Sequence, residues 1–236
     1  MEKSEKVMGI IGGMGPEATL DLFARILERT PVQKDQDHLK IIIYNNPKIP
    51  DRTEAIVKGG VSPLPAILET AEALKAAGAE FLIMPCNTAH FYYDELAAGI
   101  NLPVINMVAE TAKRVKETSP GKAKVGLLST LGTIKSRIYH EAFSREGIEV
   151  MVPGEREQQE VMAMILAVKA GNKREEHFRA LAGIMKTLIA RGAGGVVLGC
   201  TELPLLYRPC GDIRGPVYIP QDILAEKAVQ YARAGT

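Results

Sequence analysis

The chain has 236 residues, 46% of them apolar, with 29 basic against 28 acidic side chains and a net charge of +1. This balance argues against a nucleic-acid surface, and no apolar run reaches the ~18 residues of a membrane span, so a small-molecule partner is expected. Three cysteines without a Cys-x-x-Cys spacing argue against a disulfide framework and a zinc knuckle, and the first six residues lack the apolar core of a signal peptide. Free thiols in the cytoplasm are the expectation.

The first strand is predicted at Val7–Gly12, followed by the loop Gly12-Gly13-Met14-Gly15-Pro16-Glu17-Ala18 and a helix over Thr19–Arg29. The loop nominally fits a Gly-x-Gly-x-x-Ala dinucleotide fingerprint. However, the second strand, Leu39–Tyr44, ends in Asn45-Asn46-Pro47, without the acidic residue a ribose requires. The loop reads better as a tight turn at which a small anion meets backbone N–H groups, which makes Met14 a candidate binding residue. In the next loop Asp51 and Glu54 form an N-cap and its N3 acid, giving Arg52 a fixed mount. Its planar fork matches a carboxylate.

A helix over Pro63–Ala77, a strand at Phe81–Met84, a helix over Asn87–Ala98 and a strand at Pro103–Ile105 complete the first half. After the polar link Glu117–Lys122 the pattern restarts. Strands are predicted at Lys124–Leu128, Glu149–Val152 and Gly195–Leu198, and helices over Thr133–Arg145, Gln158–Lys169 and Arg174–Arg191. The tail Pro216–Ala234 adds one strand and one helix. Alternation of this kind predicts an α/β fold of parallel sheets flanked by helices, and its restart, with the repeat described below, predicts two related lobes. The lobes are placed at 1–117 plus 215–236 and at 118–214. Lys169, taken alone, complements the C-terminal end of its helix.

Two stretches align without a gap, Gly78–Thr88 with Gly192–Glu202, and Met8–Gly15 resembles Val125–Gly132, placing Thr130 opposite the first glycine loop. The first pair brings Cys86 and Cys200 to the carboxyl ends of equivalent strands, where open parallel sheets bind ligands. Each precedes a predicted helix whose N-terminal end favours a thiolate. Two opposed thiols suit proton removal from one face of a carbon and delivery to the other, which is racemisation, with the sulfurs at about 7 Å across the carbon. His90 lies one turn after Cys86, beside Tyr93. Cys210 reads as a loop residue, and no His, Asp and Glu cluster shows metal spacing.

At Gly9–Thr19, Ile49–Thr53, Met84–His90 and Leu198–Pro204 the chain resembles the aspartate/glutamate racemase family, which works without pyridoxal phosphate. The resemblance implies two pseudo-symmetric α/β lobes, each a parallel sheet flanked by helices, with an active-site cleft between them, no cofactor, Cys86 and Cys200 as the opposed acid and base, and a homodimer. It assigns Arg52 and Lys169 to substrate carboxylates, and Asn87, Thr88 and Thr201 to the α-carboxylate and amino group of an amino dicarboxylate. Glutamate racemases carry His after the second Cys-Thr; Glu202 stands there instead, which points to the aspartate-racemase-like branch. Two other readings stay open: a related isomerase or decarboxylase acting on a carboxylate without an amino group, and a two-lobed dicarboxylate-binding protein without turnover. The second would need Arg52 and Lys169 but not both thiols.

Overall fold

The computed structural model describes residues 5–119, 121, 123–207 and 213–234; Met1–Ser4 and Cys210, the latter read above as a loop residue, lie outside the described residues. In chain order the first unit is β1 (Met8–Gly12), α1 (Pro16–Arg29), β2 (Ile41–Asn45), α2 (Arg52–Lys58), α3 (Leu64–Ala76), β3 (Phe81–Ile83), α4 (Tyr93–Gly99) and α5 (Met107–Thr118). The second is β4 (Lys124–Ser129), α6 (Leu131–Ser136), α7 (Ile138–Arg145), β5 (Glu149–Met151), α8 (Glu155–Lys169), α9 (Glu175–Ala190), β6 (Val196–Gly199) and β7 (Val217–Tyr218), after which α10 (Pro220–Arg233) closes the chain. No helix among the described residues is long and apolar enough to cross a membrane.

Both sheets are parallel and grow outward from the first strand of their unit, in the orders β2-β1-β3 and β5-β4-β6-β7. Every residue of β1 is buried, as a strand covered on both faces requires, and this is why it reads as a continuous apolar run. One face of the first sheet packs Ile10 on Leu22 of α1 and Leu224 of α10, and the other packs Ile11 on Ile67 of α3 and Leu96 of α4. The second sheet is covered by α8 and α9 through Val161 and Leu188, and by α5 and α7 through Val108 and Phe143. Each such fully buried side chain contributes about 1.5–3 kcal/mol.

The tail divides between the two units. Its strand β7 pairs with β6, while α10 lies on α1 and α5, where Asp222 meets Arg25 and Arg29 (2.5 Å to Arg29) and Glu226 meets Arg114 at 2.7 Å.

Three predicted elements differ. The segment Pro103–Ile105 makes only an isolated parallel bridge, Leu82 to Val104, in place of a strand. The helix expected over Thr133–Arg145 breaks into α6 and α7 because Arg137 turns left-handed at φ 60°. The helix expected over Asn87–Ala98 begins as a 3-10 turn, Thr88–Tyr92. The glycine loop is tight as expected: Gly13 has φ 96°, and a Cβ there would lie 2.3 Å from the backbone of Asn46. Only glycine lets this loop sit against the end of β2.

Where α2 meets α6, a Cβ at Gly132 would lie 2.9 Å from Thr53 Cα and 2.8 Å from its Oγ1. At Gly183, on α9, a Cβ would meet nothing within 4 Å. Alanine gains up to about 1 kcal/mol over glycine inside a helix, whereas overpacking against backbone costs about 1–3 kcal/mol. Gly183→Ala should therefore raise the thermal midpoint and Gly132→Ala lower it by several degrees, as read by calorimetry. Equal shifts in the same direction would show that α2 and α6 are not in close contact.

Candidate active site

Cys86 lies just beyond β3 and Cys200 directly after β6, at matching places in the two sheets. Both open into one cavity, which has about 10 Å³ of solvent-accessible space, room for a single water. Its walls contain all of the residues singled out from the sequence: Met14, Arg52, Cys86, Asn87, Thr88, Thr130, Lys169, Cys200 and Thr201, joined by Asp51, Thr53 and Glu202. The cavity adjoins a wider basin of about 500 Å³ that shares Asp51, Arg52, Lys169 and Glu202 and is bounded by the loop from Gly13 to Ala18. Glu17 on its rim pairs with Lys173 of the other unit.

Arg52 stands at the first turn of α2, where Asp51 accepts the Glu54 N–H at 2.8 Å, as the capping pattern predicts. The arginine is 8% exposed; it donates Nη1 to the carbonyls of Ile49 and Pro50 and Nη2 to that of Met14 at 3.4 Å. Its Nε is buried without a partner among the described residues. Asn87 is held from behind by Tyr139, whose hydroxyl donates to Oδ1 at 2.5 Å, and its Nδ2 is likewise buried with no partner among the described residues. Two desolvated N–H donors therefore remain unmatched in the walls of one cavity. An unmade buried hydrogen bond costs about 1–3 kcal/mol, which an incoming acceptor recovers.

Hydroxyls close another part of the wall. Thr88 from the first unit lies 2.9 Å from both Thr130 and Thr133 of the second, and Thr130 also caps α6 by accepting the Thr133 N–H. Lys169 leaves α8 with much of its side chain exposed, yet its ammonium senses the cavity. Burial opposes its charge, but Glu202 and the two thiols outweigh that cost and raise its pKa, against the repulsion of Arg52.

Cys200 departs from expectation. Both cysteines are followed by short 3-10 turns, Thr88–Tyr92 and Leu203–Leu206, in place of a long helix. Burial, and then the carboxylate of Glu202, push the Cys200 thiol well above its ordinary pKa, with Lys169 opposing them. Its Sγ–H donates to Glu202 Oε2 at 2.9 Å, and Thr201 Oγ1 donates to the same oxygen at 3.1 Å. The resting group is a thiol.

Sequence reasoning left out Glu202, Tyr139 and Thr133 as site residues. Glu202 carried a signal, an acid two places after a strand-end cysteine, and Thr133 completes a Thr-x-x-Thr cap. Tyr139 lies with Phe143 on the buried face of α7, and no pattern marked it. Among the described residues no group of three or more His, Cys, Asp or Glu is placed to hold a metal.

The whole fold has close relatives. The aspartate racemase of Picrophilus torridus superposes with a TM-score of 0.83 at 31% identity, covering 96% of this chain and 94% of that one. An aspartate racemase homologue from Pyrococcus horikoshii gives 0.77 at 28% identity, over 97% and 99%. The broad specificity amino-acid racemase of Bacillus subtilis is 30% identical over 201 residues, 84% of this chain and 86% of the relative. The two solved neighbours share this fold of two parallel sheets flanked by helices. With residues 11–228 matching its profile, the chain belongs to the Asp/Glu/hydantoin racemase family.

Behind Cys86, His90 donates Nδ1–H to the Cys86 carbonyl at 2.8 Å and accepts the Met107 N–H on Nε2 at 3.1 Å, fixing one neutral tautomer. Its ring also stacks on that of Tyr93. Full burial lowers its pKa to about 4, so the unfolded chain binds a proton between roughly pH 6.5 and 4 that the folded chain refuses. Stability should thus fall as pH drops through this window, by on the order of 3 kcal/mol from this residue. Denaturant unfolding of His90→Gln should show a shallower dependence; an identical one would place the titrating group elsewhere.

Proposed function

We propose that the protein interconverts L- and D-aspartate, with glutamate as a second substrate, without a cofactor, by proton transfer between Cys86 and Cys200. What carries this reading is the meeting of two strand-end thiols with the unpaired donors Arg52 Nε and Asn87 Nδ2 in one buried cavity. A racemase needs a base and an acid on opposite faces of a weakly acidic carbon, and preorganised donors where carboxylate charge grows. Family membership and the aspartate racemase neighbour support the same reaction. A non-catalytic binding protein would have no use for paired thiols.

In this mechanism Arg52 receives the side-chain carboxylate, because carbonyls already hold Nη1 and Nη2 while Nε has no partner among the described residues. Lys169 offers the second positive charge. Asn87, Thr88 and Thr201 surround the α-carboxylate and amino group, and the wall formed by Met14 and Thr130 excludes water. One thiolate removes the α-proton as the opposite thiol delivers another, and a reversed site returns the substrate. A cavity with room for one water must widen to admit an amino acid, so the two units move apart on binding.

Incubation with aspartate in deuterated water, without added cofactor, should yield the opposite enantiomer carrying deuterium at Cα. Cys86→Ala and Cys200→Ala should each abolish inversion while keeping the native circular dichroism spectrum. A Cys86→Ala protein that racemises at the wild-type rate would contradict the mechanism. Arg52→Leu should lower kcat/KM for aspartate roughly ten- to a hundredfold, with Lys rescuing in part, since a charge-assisted hydrogen bond is worth about 1.5–3 kcal/mol. Equal losses on charged and neutral amino acids would instead indicate a structural loop.

A homodimer in the cytoplasm completes the proposal. The edge strand β2 leaves Ile43 and Tyr44 about 40% exposed, an apolar strip that a second subunit would cover. Light scattering should give twice the 25.6 kDa chain mass, and a monomer mass would overturn the dimer.

A further inference from the structure

The two thiols are not equivalent. Cys200 gives its hydrogen bond to Glu202, a residue 5% exposed, whereas among the described residues no carboxylate hydrogen-bonds to the Cys86 sulfur. The acceptor is also held in place, because Thr201 donates to the oxygen that receives the thiol. A buried acid fixed within hydrogen-bond reach of one member of an acid and base pair is placed to hold that member's proton.

We infer that Glu202 is the internal proton acceptor for Cys200, so that the reactive thiolate arises by transfer within the site and not by release of a proton to solvent. The inference rests on the racemase reading and deepens it. The Cys200 S–H bond breaks, an O–H bond forms at Glu202 Oε2, and a thiolate remains. The thiolate takes the Cα proton and the electrons of that bond stay with the substrate, while the Cys86 thiol protonates the opposite face and becomes a thiolate. The proton on Glu202 then returns to Cys86 through water, so the cycle neither gains nor loses protons. In the reverse direction the Cys86 proton first passes through water to Glu202, the Cys86 thiolate takes the Cα proton as the Cys200 thiol delivers its own to the opposite face, and Glu202 then returns its proton to the Cys200 thiolate.

The surroundings leave Glu202 as the acceptor within reach. Burial and the adjacent carboxylate hold Cys200 as a thiol. The other ionisable groups facing the pair are Lys169 from α8, Arg52 from α2 with Asp51 before it, Tyr139 from α7 and Cys86. Tyr139 is itself held neutral by burial, so it is no acceptor. Lys169 and Arg52 bear protons already. Among the described residues Glu202 alone is an acceptor bonded to the sulfur.

Glu202→Gln keeps the shape and can still accept the S–H bond, but cannot take the proton. In the wild type, log kcat/KM for racemisation should be flat from about pH 6 to 8, because the required proton stays in the site. In Glu202→Gln it should rise about tenfold per pH unit, because the thiolate then forms only by loss to solvent, and activity at about pH 6 should fall at least tenfold. Glu202→Asp should stay flat at a reduced rate, which a merely structural role would not produce. A second measurement needs no turnover: iodoacetamide alkylation of each thiol against pH, mapped by peptide mass spectrometry. Removing the carboxylate should lower the Cys200 midpoint by about one pH unit or more and move that of Cys86 less.

Parallel pH profiles for wild type and Glu202→Gln, or an unmoved Cys200 midpoint, would overturn the inference. If the wild type inverts no amino acid, the racemase reading falls, and the alkylation midpoints still decide whether Glu202 governs the Cys200 proton. Should Glu202→Gln fail to fold, the aspartate variant decides, a flat profile supporting the inference and a rising one overturning it.

Discussion

The desolvation of charge in one small cavity is the constraint on which the rest of this structure depends. Charged groups withdrawn from water each cost several kcal/mol unless they are paired. Here every one is supported from behind. Arg52 rests on the carbonyls of Ile49 and Pro50, and Lys169 is balanced chiefly by Glu202. Glu202 in turn accepts from Cys200 and Thr201. Among the described residues, Arg52 Nε and Asn87 Nδ2 are left unmatched in the cavity walls, and the proposed mechanism puts the substrate carboxylates there. The remaining architecture supplies that support: two sheets set strand ends at the cavity, and the threonine cluster joins the units behind it.

Closure and access follow from how the joints differ. The threonine hydroxyls and the contact of α2 with α6 are buried and tightly packed, so they resist separation. The rim is different, because Glu17 and Lys173 are 47% and 34% exposed, and an exposed ion pair contributes about 0–1 kcal/mol. A hinge at the threonines with a weak catch at the basin would widen the cavity from one side, which suits a ligand that must be sealed from water during proton transfer.

Much of this was legible in the chain because the relevant signals are local. Apolar runs marked the central strands, the repeat put both thiols at strand ends, and the pairing of Asp51 with Glu54 announced the mount of Arg52. What failed depended on tertiary context. The break between α6 and α7 rests on one left-handed arginine, a conformation no propensity selects. Val104 makes only a single bridge, too little for a strand. The expected ease of ionising Cys200 was reversed by burial and by Glu202, whose side chain turns back to the sulfur. Tyr139 looked like core, and it is core that also orients Asn87.

The central claim is that one substrate carbon stands between the two sulfurs with its carboxylates on the unmatched donors. A crystal structure with bound aspartate tests it most directly. The account predicts Cα within about 3.5 Å of both Cys86 Sγ and Cys200 Sγ, on opposite faces, with carboxylate oxygens paired to Arg52 Nε and Asn87 Nδ2. Aspartate bound with both sulfurs on the same face, or with its carboxylates away from Arg52 and Asn87, would contradict it.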